Sequence, residues 1–398
     1  MATFSVRFLG CKVSQTDAQQ VRERLLADGH AETGEGADVA VVNTCCVTHE
    51  AVSKSRQAVS RAARSHGRVY VTGCGANLPG AFAGAAANVH VVARRSEEAA
   101  EHVAGDVGAI ACVQGDARLD RVRAFVKVQD GCSFSCGFCV VPLVRGRSRS
   151  RRARAVLAEI RRRVEQGHRE VVLTGINLGC YRDREAGYRL SRLVREAASV
   201  HGLDRLRLSS IEVNHVDEEL VTALREAPTV SAHLHVPLQS GDDGVLRAMG
   251  RRYSASTYLR RVGPLTDFNL TTDVIVGFPG EDEAAFERTL DVVGQAGITK
   301  VHVFPYSPRP GTKTAADDTV PREVKRERGA RLRAASQEAC VRRWKGKLGT
   351  TDAVLVDRPG RGYGDDYSPW LLPSETIVGS LVRARAHEVT EEGIVGVV

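Results

Sequence analysis

Three cysteines within eight residues, in Asp130-Gly-Cys132-Ser-Phe-Ser-Cys136-Gly-Phe-Cys139, are the first place in this chain to look for chemistry. Thiolates at i, i+4 and i+7 on a glycine-containing turn can hold three irons of a [4Fe–4S] cluster and leave the fourth iron open to a small chelating molecule. A zinc site would want four ligands, usually with a second pair elsewhere. The bland alternative is a fortuitous trio of buried thiols. A second set is spread over the N-terminal region. Cys11, Cys45 and Cys74 each closely follow a short apolar run, in Leu9-Gly10-Cys11, Val42-Asn43-Thr44-Cys45 and Val71-Thr72-Gly73-Cys74. If those runs are neighbouring strands of an open α/β sheet, their carboxyl ends form one crevice and bring the three thiols to one side. A second cluster with an open iron is then the sharp expectation, and three buried core cysteines are the bland one.

The elements that must position these residues read as two βα series and a β tail. Candidate strands at 4–9, 39–43, 69–72 and 89–93 alternate with amphipathic stretches at 15–28 and 51–65, which predicts an open parallel sheet with helices on both faces. From about residue 119 a second series begins. Its strands are expected at 124–129, 170–173, 206–209, 232–236, 272–276 and 300–304, separated by helical stretches. Six βα units fall short of the eight in a full (β/α)8 barrel, so a partial, open barrel is expected. Residues 320–347 read as one long basic helix opened by Pro321. Beyond it, short apolar runs interrupted by Gly, Pro and Tyr predict a small all-β domain. The fold class is α/β, with domains expected at 1–115, 118–345 and 346–398.

Composition narrows the class. The 398 residues are 42% hydrophobic and 26% charged, with a net charge of +8, which excludes an acidic disordered chain and favours an anionic partner. No apolar run approaches the ~18 residues of a membrane span. The N-terminus reads as a first strand rather than a signal peptide. Ten clustered cysteines fit a reduced, cytoplasmic protein with metal sites better than a disulfide scaffold. Six arginines between Arg145 and Arg154, then Arg161 to Arg163, could bridge phosphates without reading bases. The stretch 322–347 adds ten basic residues against three acidic ones, a weaker candidate for the same role. With 5% aromatic residues a stacking platform is not expected, and a folded RNA with one exposed base fits better.

Cys-x3-Cys-x2-Cys after the first strand of a partial barrel resembles the radical S-adenosylmethionine (SAM) superfamily. The resemblance implies that SAM chelates the open iron and is cleaved to a 5′-deoxyadenosyl radical that abstracts an unreactive hydrogen. Within it, Leu9-Gly-Cys-Lys-Val, Asn43-Thr-Cys-Cys-Val-Thr, Lys54-Ser-Arg-Gln, Val71-Thr-Gly-Cys and Cys139-Val-Val-Pro142 look like the methylthiotransferases. Leu173-Thr-Gly-Ile-Asn-Leu-Gly179, His235-Val-Pro-Leu-Gln-Ser-Gly241 and Asp273-Val-Ile-Val-Gly-Phe-Pro-Gly-Glu281 continue the likeness. Gly362-Tyr-Gly-Asp-Asp-Tyr367 is similar to the small RNA-binding TRAM barrel of that family.

The wording of Gly10 to Gln15 and of Thr174 to Gly179 is most like the MtaB-like branch, which acts on N6-threonylcarbamoyladenosine at tRNA position 37. The implied reaction replaces C–H by C–SCH3 at adenine C2. By the same resemblance Cys11, Cys45 and Cys74 hold an auxiliary [4Fe–4S] cluster, while Gly175, Asn177, Gln239, Ser240 and Gly241 face SAM. An electron donor such as flavodoxin or ferredoxin and a sulfur source are implied partners. Other branches take isopentenyladenosine in tRNA or a ribosomal-protein aspartate. From another class, a non-catalytic zinc-binding RNA adaptor would use the same cysteines and basic tracts. The chain departs from the pattern at Ser14, Cys46, Val213, Asp365 and Asp366. Neighbours on an extended segment point to opposite faces, so only one of Cys45 and Cys46 should reach a cluster. The two aspartates should add negative charge to the RNA face. Cys112, Cys180 and Cys340 match no ligand position and read as ordinary reduced thiols.

Overall fold

A computed structural model describes residues 1–34, 36–109 and 122–398, and they form two compact units. The first contains 1–109 together with Asp130–Ser148 and Ser307–Ala315. The second contains 122–129, Arg149–Tyr306 and Ala316–Val398. Cys112 lies outside the described residues, as do 115 and 118, the limits expected for the first two domains.

The first unit is built on five parallel strands, β1 (Thr3–Phe8), β2 (Ala31–Glu32), β3 (Val39–Thr44), β4 (Arg68–Thr72) and β5 (Val89–Val91), ordered β2-β1-β3-β4-β5. Its helices are α1 (Lys12–Ala27), α2 (His49–Ser65), α3 (Gly73–Ala76), α4 (Ser96–Val107) and α5 (Val141–Arg145). The central strand β3, Val-Ala-Val-Val-Asn-Thr, is buried at every position, as a strand covered on both faces must be. Its period-two alternation sorts the core. Val39 and Val41 pack with Val21 and Leu25 of α1 and Val103 of α4, while Ala40 and Val42 pack with Ala58 and Val59 of α2. The open parallel sheet expected from the sequence is therefore present.

The second unit carries six parallel strands at the expected places: β6 (Arg123–Lys127), β7 (Glu170–Thr174), β8 (Arg205–Leu208), β9 (His233–His235), β10 (Asn269–Val276) and β11 (Lys300–Pro305). They form two three-stranded sheets, β8-β7-β6 and β9-β10-β11, linked by a parallel bridge between Ser210 and His235. Helices α6 (Ala153–Glu165), α7 (Leu190–Ala198), α8 (Glu218–Glu226), α9 (Asp243–Ala248), α10 (Ala255–Val262) and α11 (Glu283–Gln295) fall between the strands. One continuous apolar core runs from Val126 on β6 to Val301 on β11.

Helix α12 (Arg322–Lys345) lies against β11, where the Ser336 hydroxyl accepts the Val301 N–H at 2.9 Å. Its basic residues are partly consumed inside the unit. Arg328 pairs with Glu281 at 3.1 Å, Arg331 with Glu283 at 2.6 Å and Arg343 with Asp366 at 2.8 Å. The chain then closes a five-stranded barrel, β12 (Thr351–Arg358), β13 (Arg361–Tyr363), β14 (Pro369–Leu371), β15 (Leu381–Val389) and β16 (Ile394–Val397), around Val354, Val356, Trp370 and Ile394. Among the described residues no helix is long and apolar enough to cross a membrane.

Candidate functional site

Both cysteine trios fall in the first unit. Gly10, Gly73 and Gly131 directly precede Cys11, Cys74 and Cys132 and take φ of +123°, +85° and +70°. Only glycine adopts these values freely, and each turns the chain sharply at the end of a strand or at the start of the cysteine loop. At Gly10 there is also no room for a side chain: a Cβ would stand 2.7 Å from the Ser14 hydroxyl and 3.1 Å from Cβ of Cys45. That close approach sets the β1–α1 turn, and with it Cys11, beside Cys45.

Cys11 caps α1, and its sulfur stands 3.8 Å from the Ser14 hydroxyl. Cys45 is buried immediately after β3, where its N–H donates to the Ser55 hydroxyl at 3.1 Å and its carbonyl accepts from that hydroxyl. Burial pushes the Cys45 thiol up to about 11, and the neighbouring Cys74 and Cys11 add to the rise. Three residues distant in sequence are thus electrostatic neighbours. Cys74 lies in α3, where a hydrogen bond from Cys46 and then the Arg145 guanidinium pull its thiol down against the cost of burial. The same hydrogen bond and burial push Cys46 up. Cys46 therefore also reaches Cys74. β3 ends at Thr44, one residue before the pair, so strand alternation does not govern how Cys45 and Cys46 are placed.

The Cys132–Cys139 loop folds against this cluster of thiols. Cys132 N–H donates to the Gly146 carbonyl at 3.0 Å, and Cys139 N–H to the Cys136 carbonyl at 3.2 Å. Val140 and Val144 then pack on Cys46 and Cys74. Arg145 closes the arrangement. Its Nε donates to Cys74 Sγ at 2.9 Å while its terminal nitrogens reach Asp17 at 2.8 Å and Asp130 at 3.1 Å. A third segment, Ser307–Ala315, ties in from far along the chain. Thr314 N–H donates to the Gly137 carbonyl at 3.1 Å, and the buried Arg309 donates to the Cys46 carbonyl at 3.3 Å.

Arg145, Arg309, Cys46 and Thr314 were not singled out as site residues from the sequence. The signal for Arg145 was there but read as part of a phosphate-binding run. Arg151 and Arg152 of that run pair with Glu159 and Glu185, and Arg163 also pairs with Glu159. The absence of acids within the run therefore did not mean the absence of acids around it.

The other five candidate residues lie in the second unit. Asn177, after β7, is buried. Its N–H donates to the Gln129 side chain at 2.9 Å, and its side-chain oxygen has no hydrogen-bond partner among the described residues. An orphaned buried oxygen is an acceptor waiting for a donor. Gly175 sits so close to Gln129 that a Cβ would meet that side chain at 3.0 Å. Gln239 takes φ +67°, a costly conformation for a residue with a side chain. Ser240 is fully buried, and at Gly241 a Cβ would strike the Arg288 carbonyl at 2.6 Å. For these two, packing against α11 is a sufficient account.

Among the described residues no three Cys, His, Asp or Glu groups surround a point that could hold a single metal ion. The ligands of an iron–sulfur cube sit on different irons and need not converge that far. The donor chemistry fits such a cube: soft thiols, two guanidinium groups to balance anionic sulfur, and no competing carboxylate at Arg309 among the described residues. The remaining thiols are placed differently, with Cys180 beside His215 at 3.3 Å and Cys340 donating to the Thr299 carbonyl at 3.1 Å.

Residues 126–293 match the Radical SAM superfamily, and residues 3–92 match the uncharacterized protein family UPF0004. The fold is shared with TsrM from Kitasatospora setae, a radical S-adenosylmethionine methyltransferase, at a TM-score of 0.58 and 14% identity over 79% of this chain and 75% of that one. The protein is thus a radical-SAM enzyme, a class that implies SAM and a [4Fe–4S] cluster. The threonylcarbamoyladenosine tRNA methylthiotransferase MtaB of Chlamydia pneumoniae is 34% identical over 412 residues, covering 99% of this chain and 97% of that protein. The tRNA-2-methylthio-N(6)-dimethylallyladenosine synthase of Erythrobacter litoralis is 33% identical over 99% of this chain and 96% of its own length. The chain belongs to the radical-SAM methylthiotransferase family. That membership decides for an enzyme and against a non-catalytic zinc-binding adaptor.

Proposed function

We propose that this protein methylthiolates N6-threonylcarbamoyladenosine at position 37 of tRNA, converting the adenine C2–H to C2–SCH3. The observation that carries the reading is the placement of both cysteine trios on one compact unit with Arg145 between Cys74 and Asp130. The naming of relatives such as the Chlamydia pneumoniae enzyme supports this branch. Cys132, Cys136 and Cys139 would hold the cluster that binds SAM, and Cys11, Cys45 and Cys74 a second, sulfur-presenting cluster. When bound, these groups supply the radical that removes the C2 hydrogen, the sulfur, and the methyl group.

The chain's own residues have definable tasks. Arg145 and Arg309, both buried, offset the negative charge of deprotonated sulfur. Asn177 offers its unpartnered oxygen to a donor such as SAM's amino group, and Gly175 lets the Gln129 side chain that holds the Asn177 N–H pack close. Gln239, Ser240 and Gly241 shape the neighbouring turn. An electron donor and a sulfur source are required partners, and tRNA as substrate places the protein in the cytoplasm.

The test is mass spectrometry of nucleosides from total tRNA of the native host with and without this gene. Loss of 2-methylthio-N6-threonylcarbamoyladenosine, with its unthiolated precursor accumulating, is the expected result. A change in the isopentenyl derivative instead would move the protein to the other tRNA branch. No change in any tRNA nucleoside would favour the ribosomal-protein substrate.

A further inference from the structure

Several of the arginines discussed above close on a carboxylate; those along α2 do not, among the described residues. A groove of about 550 Å³ runs along α2 of the first unit, lined among others by Arg56, Arg61, Arg64, Leu78, Arg309 and Pro310, with no acidic residue among the described residues of its wall. Arg61 and Arg64 are exposed, and neither side chain makes an ion pair or hydrogen bond to another described residue. The Arg56 guanidinium donates to the Ala81 carbonyl at 2.6 Å, a neutral acceptor that holds α2 to the turn after α3. At the inner end the buried Arg309 donates to the carbonyls of Pro308 and Cys46 and to the Ser307 hydroxyl, again to no carboxylate among the described residues.

Four guanidinium groups around one concavity repel one another, and their summed field attracts an anion. A solvated helix face is the ordinary fate of a charge run. It does not account for Arg309, which is 2% exposed. The size of the anion follows from helix geometry. From Arg56 to Arg64 is eight residues, about 12 Å along the axis, too long for one phosphate group to span.

We propose that the α2 groove is a docking site for the phosphate backbone of the RNA substrate, reaching at Arg309 the segment that carries Cys45 and Cys46. This rests on the reading that the protein acts on tRNA. The groove reads no bases; it positions the strand and makes its capture salt-dependent.

The experiment is tRNA binding by the cluster-loaded protein over a series of salt concentrations, comparing wild type with R61Q/R64Q. K54Q serves as control, since Lys54 lies on the same helix outside the groove wall and pairs with Glu50 at 2.7 Å. Circular dichroism and iron content verify that each variant is folded and loaded. R61Q/R64Q should bind about tenfold more weakly at low salt, and its slope of log K against log salt should flatten by about two. K54Q should keep the wild-type slope. Unchanged affinity and slope in R61Q/R64Q would overturn the proposal, as would weaker binding with an unchanged slope. A variant that loses affinity for inorganic phosphate alone, with tRNA binding intact, would make the groove a small-anion site and also overturn it. Wild-type protein that shows no salt-dependent tRNA binding and leaves tRNA nucleosides unmodified would sink the tRNA reading itself, a failure visible without any variant.

Discussion

Arginine does opposite work in two regions of this molecule. In the second unit Glu170, 1% exposed, receives Arg123 at 3.3 Å, Arg205 at 3.3 Å and Arg207 at 2.8 Å. Arg207 goes on to the Gly364 carbonyl of the barrel at 2.7 Å, and Asp365 pairs with Arg205 at 3.3 Å. Each of these guanidinium groups is matched by an anion of the protein itself, so the cluster fixes the barrel to the strands that carry it. In the first unit Arg145 points one nitrogen at sulfur, and Arg309 has only neutral acceptors among the described residues. A buried cation without its own carboxylate marks a place where an anion has yet to arrive. The same residue type is neutralised internally at Arg205 and Arg207 and met by neutral acceptors at Arg309, with Arg145 between the two cases because Asp17 and Asp130 also hold it.

The largest effects should come from the thiols themselves. Cys136→Ala should abolish SAM cleavage and with it all product. Cys74→Ala should abolish methylthiolation while SAM cleavage persists, and each variant should lose roughly four of about eight irons. Iron and acid-labile sulfide analysis, with chromatography of 5′-deoxyadenosine, reads both outcomes. Equal loss of cleavage in the two variants would contradict separate tasks for the two trios.

Arg145 comes next, because it belongs to both kinds of arginine. Arg145→Leu would remove the guanidinium from Asp17 and Asp130, whose side chains are 3% and 14% exposed. The expected cost is about 3–5 kcal/mol in anaerobic denaturant unfolding. Arg145→Lys should restore part of it, since an ammonium keeps the charge but cannot fork between Cys74 and two carboxylates. A loss under about 1 kcal/mol would mean that the triad is solvated, and the contrast between the two regions would weaken.

Much of this was legible in the sequence, and the misses have physical causes. Every strand of the parallel sheet and of the six βα units except the two-residue β2 announced itself, most plainly those buried at every position, such as Val39–Thr44 and Glu170–Thr174, which are near-continuous apolar runs bounded by turns. Glycine before Cys11, Cys74 and Cys132 marked strand-end turns that only glycine makes comfortably. Helix α4 was missed because its buried stripe is Ala99, Ala100, Val103 and Ala104, small side chains with little contrast to their surroundings. The segment at 307–315 was missed for a different reason: nothing local says that Thr314 bonds to Gly137 or Arg309 to Cys46. Whether an arginine is neutralised is likewise a long-range property. Arg145 to Arg154 carried the louder basic signal, yet Arg145, Arg151 and Arg152 of that run pair with acids from elsewhere in the chain.

The smallest effect concerns Asp366, which from sequence alone should have added negative charge to the outside of the barrel. It is instead buried, with Lys347 at 2.9 Å and Arg343 at 2.8 Å. Burial pushes its carboxyl up, but the two cations push it down harder, to about 2 from an ordinary 3.8. A carboxyl with a depressed folded value binds its proton more weakly in the native state than in the unfolded chain. Its stabilisation is therefore complete above about pH 4 and is lost as the pH falls toward 2, with a size of about 2 kcal/mol. Unfolding free energy measured across that window should fall for the wild type by about that much more than for Asp366→Asn, which has no proton to gain. The variant should also be less stable than wild type at pH 7, because it leaves Lys347 and Arg343 without the anion between them. Parallel acid profiles for the two proteins would mean that Asp366 is solvated, and the barrel contact would then lack the self-contained charge balance that separates it from the thiol site.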